Sequence, residues 1–381
     1  MRIVEAKILN FRNLEETAIE FSSRVNLFLG ENGQGKTNLL EALNFIAFGR
    51  SHRGNRNEEM IRFTADHLHV SMTVEEEGAE TKQFEYAVTR QGKRRFHIDG
   101  QEVKKRAELV GNFTSVFFDP NSIGLVRGGP RERRQYIDRG LAVSAREHLP
   151  NLQSYLRALR QKARLLQEIK KAKKSIIHSQ PWRDEITAWN QEMAKNARAI
   201  YLGRADYSLG IKPFANQVYQ DLSTEDKELD FIYKPRFEGN LQDYDEGDLE
   251  QEIFTEFDYI VDKEISRGRP LIGPHLDDFA VTLDGVDLRS FGSQGETRTA
   301  AIALILAQSE VLFQKRHIRP VLFFDDIFSE LDRKRSRQLQ EKSIQQHQVF
   351  IATARNEDIS GWSPAGSKSW QITSGELEAK S

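Results

Sequence analysis

Gly30-Glu31-Asn32-Gly33-Gln34-Gly35-Lys36-Thr37 decides the fold of this 381-residue chain. The octet fits G-x-x-x-x-G-K-[ST], in which glycines let successive backbone N–H groups curl around phosphate oxygens. Lys36 then reaches the β- and γ-phosphates, and Thr37 offers a hydroxyl to Mg²⁺. The flanks supply the context such a loop needs. Val25-Asn26-Leu27-Phe28-Leu29 reads as a buried strand running into it, and Asn38 to Ile46 reads as a helix with an apolar stripe leaving it. A matching half lies near the other end of the chain. There Val321-Leu322-Phe323-Phe324 forms a strand that delivers Asp325, a carboxylate suited to a Mg²⁺ water shell, with Asp326 beside it to polarise an attacking water. An apolar core strand ending in two solvated acids is the bland reading of this second half, and the phosphate loop counts against it.

Composition bounds the rest. With 38% hydrophobic and 29% charged residues, a chain of this length makes an ordinary soluble protein of two or three domains. A formal charge of −2 excludes neither nucleic acid nor protein partners, and the absence of cysteine excludes a disulfide scaffold and thiolate metal sites. No apolar run is long enough to span a bilayer, and Met1 to Ala6 alternates like a strand rather than opening a signal peptide. The expected location is the cytoplasm.

The two site halves are too far apart for a minimal nucleotide-binding lobe, so a substantial insertion separates them, and charge marks it. Residues 131–174 carry a net +9, whereas residues 221–264 carry a net −12. Leu152, Tyr155, Leu156, Leu159, Ala163, Leu166 and Ile169 follow helical spacing, and Trp182, Ile186, Trp189, Met193, Ala197 and Ile200 repeat it after Pro181. Two amphipathic helices separated by Ser175 to Pro181 suggest a helical hairpin or arm whose stripes are packing surfaces. Beyond it, Leu222 to Gly247 reads as an irregular acidic excursion. The expected organisation is an α/β chain with an N-terminal lobe over 1–126, an inserted helical arm over 127–265 and a C-terminal lobe over 266–381.

Smaller patterns fill in the lobes. Leu68 to Val74 and Phe84 to Thr89 alternate like paired strands, and Arg94 to Gly100 reads as a further hairpin. Arg94 and Arg95, with Lys104, Lys105 and Arg106, suit either phosphate contact or a solvated sheet edge. Leu283 to Leu288 reads as strand-turn-strand. Ser290-Phe291-Gly292-Ser293-Gln294-Gly295-Glu296 then precedes the helical run Thr299 to Phe313. Small residues at a helix start make an anion-binding end; Ser293 is equally a plain helix cap. In a chain with its own phosphate loop, a second such end suggests the far face of an ATP held between two copies.

The assembled order resembles the P-loop ATPase heads of SMC-type and ABC-type proteins and, end to end, the RecF family of bacterial recombination mediators. Asn10-Phe11-Arg12-Asn13, Gly128-Gly129-Pro130-Arg131-Glu132-Arg133-Arg134-Gln135-Tyr136-Ile137-Asp138, Gly273-Pro274-His275-Leu276-Asp277-Asp278 and Ser329-Glu330-Leu331-Asp332 carry that likeness. It implies an ABC/SMC-type head with an inserted arm that binds ATP and Mg²⁺, closes into an ATP-dependent homodimer and engages double- and single-stranded DNA at gaps. RecR, RecO and the RecA pathway are the implied partners, with slow, DNA-stimulated ATP hydrolysis as a release timer. By the same resemblance Gly30, Glu31, Asn32, Gly33, Gln34, Gly35, Lys36 and Thr37 hold the phosphates, with Arg12 and Asn13 near the nucleotide. Thr37 and Asp325 hold the metal, Asp326 takes the place of the hydrolytic base, and Ser293 and Gly295 reach the γ-phosphate of the opposite subunit. Asp332 lies in the loop that couples the two sites. Asp119-Pro120-Asn121-Ser122 departs from the acidic pair usual in the family, no glutamine matches the ABC Q-loop, and Thr353 stands where ABC proteins place a switch histidine. His275 has no metal-ligand spacing, which leaves a structural or DNA-proximal role. Arg131, Arg133 and Arg134 are DNA candidates, or partners of acids in the head.

Other ATP-driven machines fit less well. A transporter subunit does not account for the long insertion, a nuclease needs an acidic metal-dependent domain for which residues 326–381 are too few, and a chromosome-bridging arm needs a sustained heptad seam.

Overall fold

The strand Val25–Leu29 is buried at every position, as a parallel strand covered on both faces must be. In the computed structural model, which describes residues 1–380 apart from 52, 54–56, 77, 79, 80, 172–179, 224 and 356–363, it lies inside a six-stranded sheet. The order is Glu376–Lys380, Lys368–Thr373, Val25–Leu29, Val349–Thr353, Val321–Asp325 and Ser115–Phe118. All neighbours are parallel except the first pair. The carboxyl ends of the parallel strands therefore share one edge, the place where open α/β sheets take ligands.

A second, antiparallel sheet runs Leu14–Glu20, Arg2–Phe11, His67–Glu75, Lys82–Thr89, Arg94–Ile98 and Gln101–Glu102. The expected pair is present: Leu68 faces Val88 and Met72 faces Phe84. The helix Lys36–Phe48 buries Leu39, Leu40, Leu43, Phe45 and Ile46 in one core with Ile8 and Val70 of the antiparallel sheet and Phe323 and Phe350 of the parallel one. Gly49, at φ 60, closes this helix. Arg106, which suited either a phosphate contact or a solvated sheet edge, donates from Nε to the carbonyl of Phe48 at 2.8 Å. A guanidinium suits the negative end of a helix.

This compact unit comprises Met1–Ile123, Phe214–Asp226 and Arg298–Ser381, and a second comprises Gly124–Pro213 and Lys227–Thr297. The second is mainly helical, with Pro130–Ser144, His148–Lys171, Glu246–Tyr259, Val261–Arg267 and most of Gln180–Leu222. Tyr155, Met193, Ala197 and Ile200 pack with Leu249, Ile253 and Phe257, and Leu166, Ile169 and Ile186 pack with Val261 and Ile265. Both expected stripes are thus packing surfaces. The second helix outruns its expected end near Ile200 because Tyr207, Ile211, Ala215 and Val218 continue the buried spacing. Most of the connection between the two helices lies outside the described residues.

Two expectations are corrected here. The acidic stretch read as irregular contains the strand Leu229–Lys234, paired antiparallel with Asp278–Leu283 so that Phe231 faces Val281. Leu229 and Phe231 are buried and alternate with Asp230, a period of two that the surrounding acids obscure. That ladder also ties residues 278–283 to the helical unit, so the division differs from the expected boundaries: 266–297 joins the helices and 214–226 the sheets. Asp284 and Gly285, at φ 49 and 77, make the two-residue turn to Val286–Asp287. Among the described residues, no helix is long and apolar enough to cross a membrane.

Candidate functional site

Backbone conformation shapes the phosphate loop first. Gly33 and Gly35 take φ 83 and 118, and a Cβ at Gly35 would come within 2.8 Å of the Asn13 side-chain amide. Only glycine permits that approach. Asn13 Nδ2 donates to the Gln34 carbonyl at 2.9 Å, which also accepts from Gly375 N at 2.8 Å, while Ser374 N donates to Gln34 Oε1 at 2.6 Å. Asn13 and Gln34 thus brace the loop, and Glu31, Asn32 and Gly33 face solvent. Lys36 Nζ donates to the carbonyls of Gly30 at 2.7 Å and Glu31 at 2.9 Å, folding the loop around its own ammonium. Burial holds the Lys36 pKa below its ordinary value, with Asp326 and Asp325 opposing.

The two halves meet directly: Thr37 Oγ1 donates to Asp325 Oδ1 at 2.9 Å. Burial pushes Asp325 up to about 6, with Asp119 and Asp326 adding to the rise and Thr37 and Arg53 opposing it. Asp326 sits at φ 53, a costly conformation for a residue with a side chain. It is fixed there by its N–H to the Ala352 carbonyl at 2.8 Å and by Ser329 Oγ donating to its carbonyl at 2.8 Å. Its Oδ1 is buried without a hydrogen-bond partner among the described residues. An orphaned carboxylate oxygen and a second carboxyl with a raised pKa fit a cation. No group of three or more His, Cys, Asp or Glu side chains that could hold a metal occurs among the described residues. One hydroxyl and one carboxylate suit Mg²⁺, which takes its other ligands from substrate phosphates and water.

Sequence reasoning gave no role in the site to three nearby residues. Asp119 follows Phe118, which faces Phe324, so its carboxylate comes level with Asp325. Glu41, fully buried on the loop helix, takes a bidentate pair from Arg12, with Nε to Oε2 at 2.7 Å and Nη2 to Oε1 at 2.8 Å. Arg53 Nη1 lies 3.6 Å from the same carboxylate. The available signal was position alone: Glu41 follows Thr37 by four residues, on one helix face. Thr353 ends the strand beside Asp325, its Oγ1 accepting from Arg355 N at 3.2 Å. His347 lies at the far end of that strand, with Nδ1 2.8 Å from the Pro320 carbonyl and burial pushing it down to about 4.

Ser293 and Gly295 fall in the helical unit, and Asp332 in the sheet unit. Ser293 Oγ accepts from Glu296 N at 3.2 Å, and Glu296 Oε2 accepts from Ser293 N at 2.9 Å. This reciprocal box caps the helix Gln294–Arg316, and Ser293 remains exposed. Its neighbour Lys227, with Ser293, holds Glu296 down to about 2. Asp332 caps Arg333–Ile344 by accepting from Arg335 N.

The candidate DNA arginines divide. Arg94, Arg95 and Arg131 are exposed. Arg133 is not available: only 2% exposed, it reaches Asp278 with Nε at 2.7 Å and Nη2 at 3.1 Å. Arg134 Nη1 donates to the Asp277 carbonyl at 2.5 Å. Asp277 is itself a buried junction, accepting from Arg204 Nη1 at 2.8 Å, Tyr233 Oη at 2.5 Å and Arg236 N at 2.8 Å. Arg204 also grips Asp138 at 2.9 Å. His275 Nδ1 lies 2.7 Å from Tyr155 Oη, and burial pushes its pKa down to about 4, a packing role.

A parallel sheet with a phosphate loop at its carboxyl edge, an acidic strand end beside it and a helical insertion define an ATPase head of the SMC and ABC class. The family model described as "RecF/RecN/SMC N terminal domain" matches residues 2–367. A protein named DNA replication and repair protein RecF from Ruminiclostridium cellulolyticum is 32% identical over 97% of both chains; one of the same name from Staphylococcus carnosus is 30% identical over 99% of this chain and 100% of its own. This chain belongs to the RecF family. Solved structures of the recombination mediator protein RecF in the RecFOR pathway, described as RecF-ATPrS and RecF-ATP, superpose with a TM-score of 0.90 at 28% and 27% identity, covering 100% of this chain and 98% of each. An Smc head bound to the C-winged helix domain of ScpA matches at TM-score 0.56 and 13% identity, a likeness of fold.

Proposed function

We propose that this chain binds ATP with Mg²⁺ at the junction of its phosphate loop and Asp325 and uses the bound nucleotide to govern its hold on DNA. Its family gives it a role in DNA replication and repair; recombinational gap repair and replication restart are the finer reading, in the cytoplasm. The observation that carries the site is the Thr37–Asp325 hydrogen bond, which joins the two halves from residues 288 apart.

The loop N–H groups and Lys36 bind the phosphates, exchanging the Gly30 and Glu31 carbonyls for phosphate oxygens. Mg²⁺, when bound beside Thr37 and Asp325, supplies charge neutralisation of the β- and γ-phosphates. Asp326 orients a water and takes its proton at Oδ1, the oxygen without a hydrogen-bond partner among the described residues. Ser293 and Gly295 present a capped helix start to the γ-phosphate of a second copy, and Asp332 lies in the loop linking the paired sites. The closed homodimer holds duplex and single-stranded DNA at gaps and assists RecR and RecO in loading RecA. Weak, DNA-stimulated hydrolysis releases it.

Shared sites are tested by mixing. Ser293→Arg blocks the helix start while leaving Lys36 and Thr37 intact, and Lys36→Met does the reverse. Each alone is inactive, and a mixture regains partial ATP hydrolysis on gapped DNA from dimers with one complete site. Mixed dimers seen by sedimentation with no recovered activity would sink the shared-site mechanism.

A further inference from the structure

The carboxylate that gathers most partners beside the phosphate loop belongs to a residue with no place in the phosphate-loop motif. Glu41 is fully buried. Its Oε2 takes Arg12 Nε at 2.7 Å and its Oε1 takes Arg12 Nη2 at 2.8 Å. Ser51 Oγ donates to Oε1 at 2.5 Å, and Ser51 in turn accepts from Arg53 N at 3.0 Å. Arg53 Nη1 completes the group 3.6 Å from Oε2 and also donates to Asn38 Oδ1 at 3.4 Å. One acid thus collects the turn after the first strand, the loop helix and the segment that follows that helix.

Three features separate this cluster from a core ion pair. Among the described residues its cations outnumber its acid: the guanidiniums of Arg12 and Arg53 face one carboxylate, and a bound anion can use charge that Glu41 does not neutralise. Its place is beside the loop: Glu41 follows Thr37 by one helical turn, so both lie on one face. Its links run to the site, since Asn13, next to Arg12, holds the Gln34 carbonyl at 2.9 Å and Arg53 reaches Asn38, the residue after Thr37. Arg12 also sits at φ 53, a conformation that persists only where its surroundings hold it.

We propose that Glu41 is a positioning residue of the nucleotide site: it fixes Arg12 and Arg53 so that their surplus positive charge faces the polyphosphate. The inference rests on the ATP-binding reading above and deepens it. Removal of the Glu41 charge lets both guanidiniums drift, so nucleotide affinity falls although Glu41 touches no phosphate. The effect acts chiefly through Arg12, which Glu41 holds by two hydrogen bonds at 2.7 and 2.8 Å against the 3.6 Å approach of Arg53, and falls to little once Arg12 is gone.

Equilibrium titration of the full chain with Mg-ATP, Mg-ADP and inorganic triphosphate decides it. Wild-type protein that fails to bind ATP overturns the reading beneath. With wild-type binding established, Glu41→Gln is expected to weaken ATP and triphosphate by about tenfold, the scale of one charge-assisted contact. Arg12→Ala should lose as much or more, and Arg12→Ala/Glu41→Gln should bind no more weakly than Arg12→Ala. Wild-type affinity in folded Glu41→Gln, or a further tenfold loss in the double variant, overturns the proposal. If Glu41→Gln does not fold, the neutral pair Arg12→Gln/Glu41→Gln is compared with Arg12→Gln: equal affinities support it and a further loss overturns it.

Discussion

Two Asp-Asp pairs in this chain are treated in opposite ways. Asp277-Asp278 leads into a strand of the helical unit, and its carboxylates accept from Arg204, Tyr233, Arg236 N and Arg133. Asp325-Asp326 closes a strand of the sheet unit, with one hydroxyl on Asp325 and a buried Asp326 Oδ1 that no donor reaches among the described residues. The first pair finds its donors within the fold, although burial still holds Asp277 above its ordinary pKa against Arg204. The second keeps a demand for a cation, which costs stability and fits it for Mg²⁺ and water. Adjacent acids in sequence thus say little about role; the donors that bond their oxygens decide it.

The sharpest way to break this contrast is Arg204→Ala. It leaves Asp277 and Asp138 buried without their shared cation, and Asp138 is held down to about 2, against the push of burial, by Arg204 and His148. Loss of about 3–5 kcal/mol is expected, read as a lower midpoint in urea. Unchanged stability would mean that the network is not what holds the pair. Asp326→Asn tests the other side. Nucleotide binding should survive while turnover falls by about 100-fold or more, the range of a lost general base; single-turnover kinetics would expose undiminished chemistry and move the base elsewhere.

Asp325→Asn sharpens the comparison through pH. The Asp325 pKa in the fold, about 6, lies above the ordinary carboxylate value. Between about pH 4 and 6 the native state therefore holds more protons than the unfolded one, and stability falls as pH rises through that window. Asparagine keeps the Thr37 contact without the charge. At pH 7 the variant should be more stable than wild type by about 2–3 kcal/mol in the absence of Mg²⁺, and the gap should close near pH 4. A constant difference across the range would mean that Asp325 is not strained by its ionisation.

How far the sequence could be read follows the same division. The phosphate loop, its strand and the acidic strand were legible because each is a contiguous run whose local geometry sets its chemistry. Partners distant in sequence were not. Arg133 is basic and follows a Gly-Gly-Pro turn, which suits a phosphate contact or an acid of the head alike, and only Asp278, 145 residues on, decides between them. Glu41 occupied an unremarked polar position on an amphipathic helix until Arg12 and Arg53 closed on it. The strand Leu229–Lys234 was lost among acids that its burial pattern ignores.

The smallest expected effect concerns DNA, and the burial of Arg133 reshapes it. A triple substitution of Arg131, Arg133 and Arg134 would mix a lost surface charge with a broken buried pair, so weakened binding would not distinguish contact from unfolding. Arg94 and Arg95 are free of that difficulty, since both are exposed on the strand Arg94–Ile98. Each phosphate contact contributes about 0.9 to the slope of log affinity against log salt on duplex DNA. If both arginines touch phosphates, Arg94→Ala/Arg95→Ala should flatten that slope by about 2 while leaving the urea midpoint and ATP affinity as in wild type. An unaltered slope in the folded variant assigns these arginines to a solvated sheet edge and moves the DNA contacts to other basic residues.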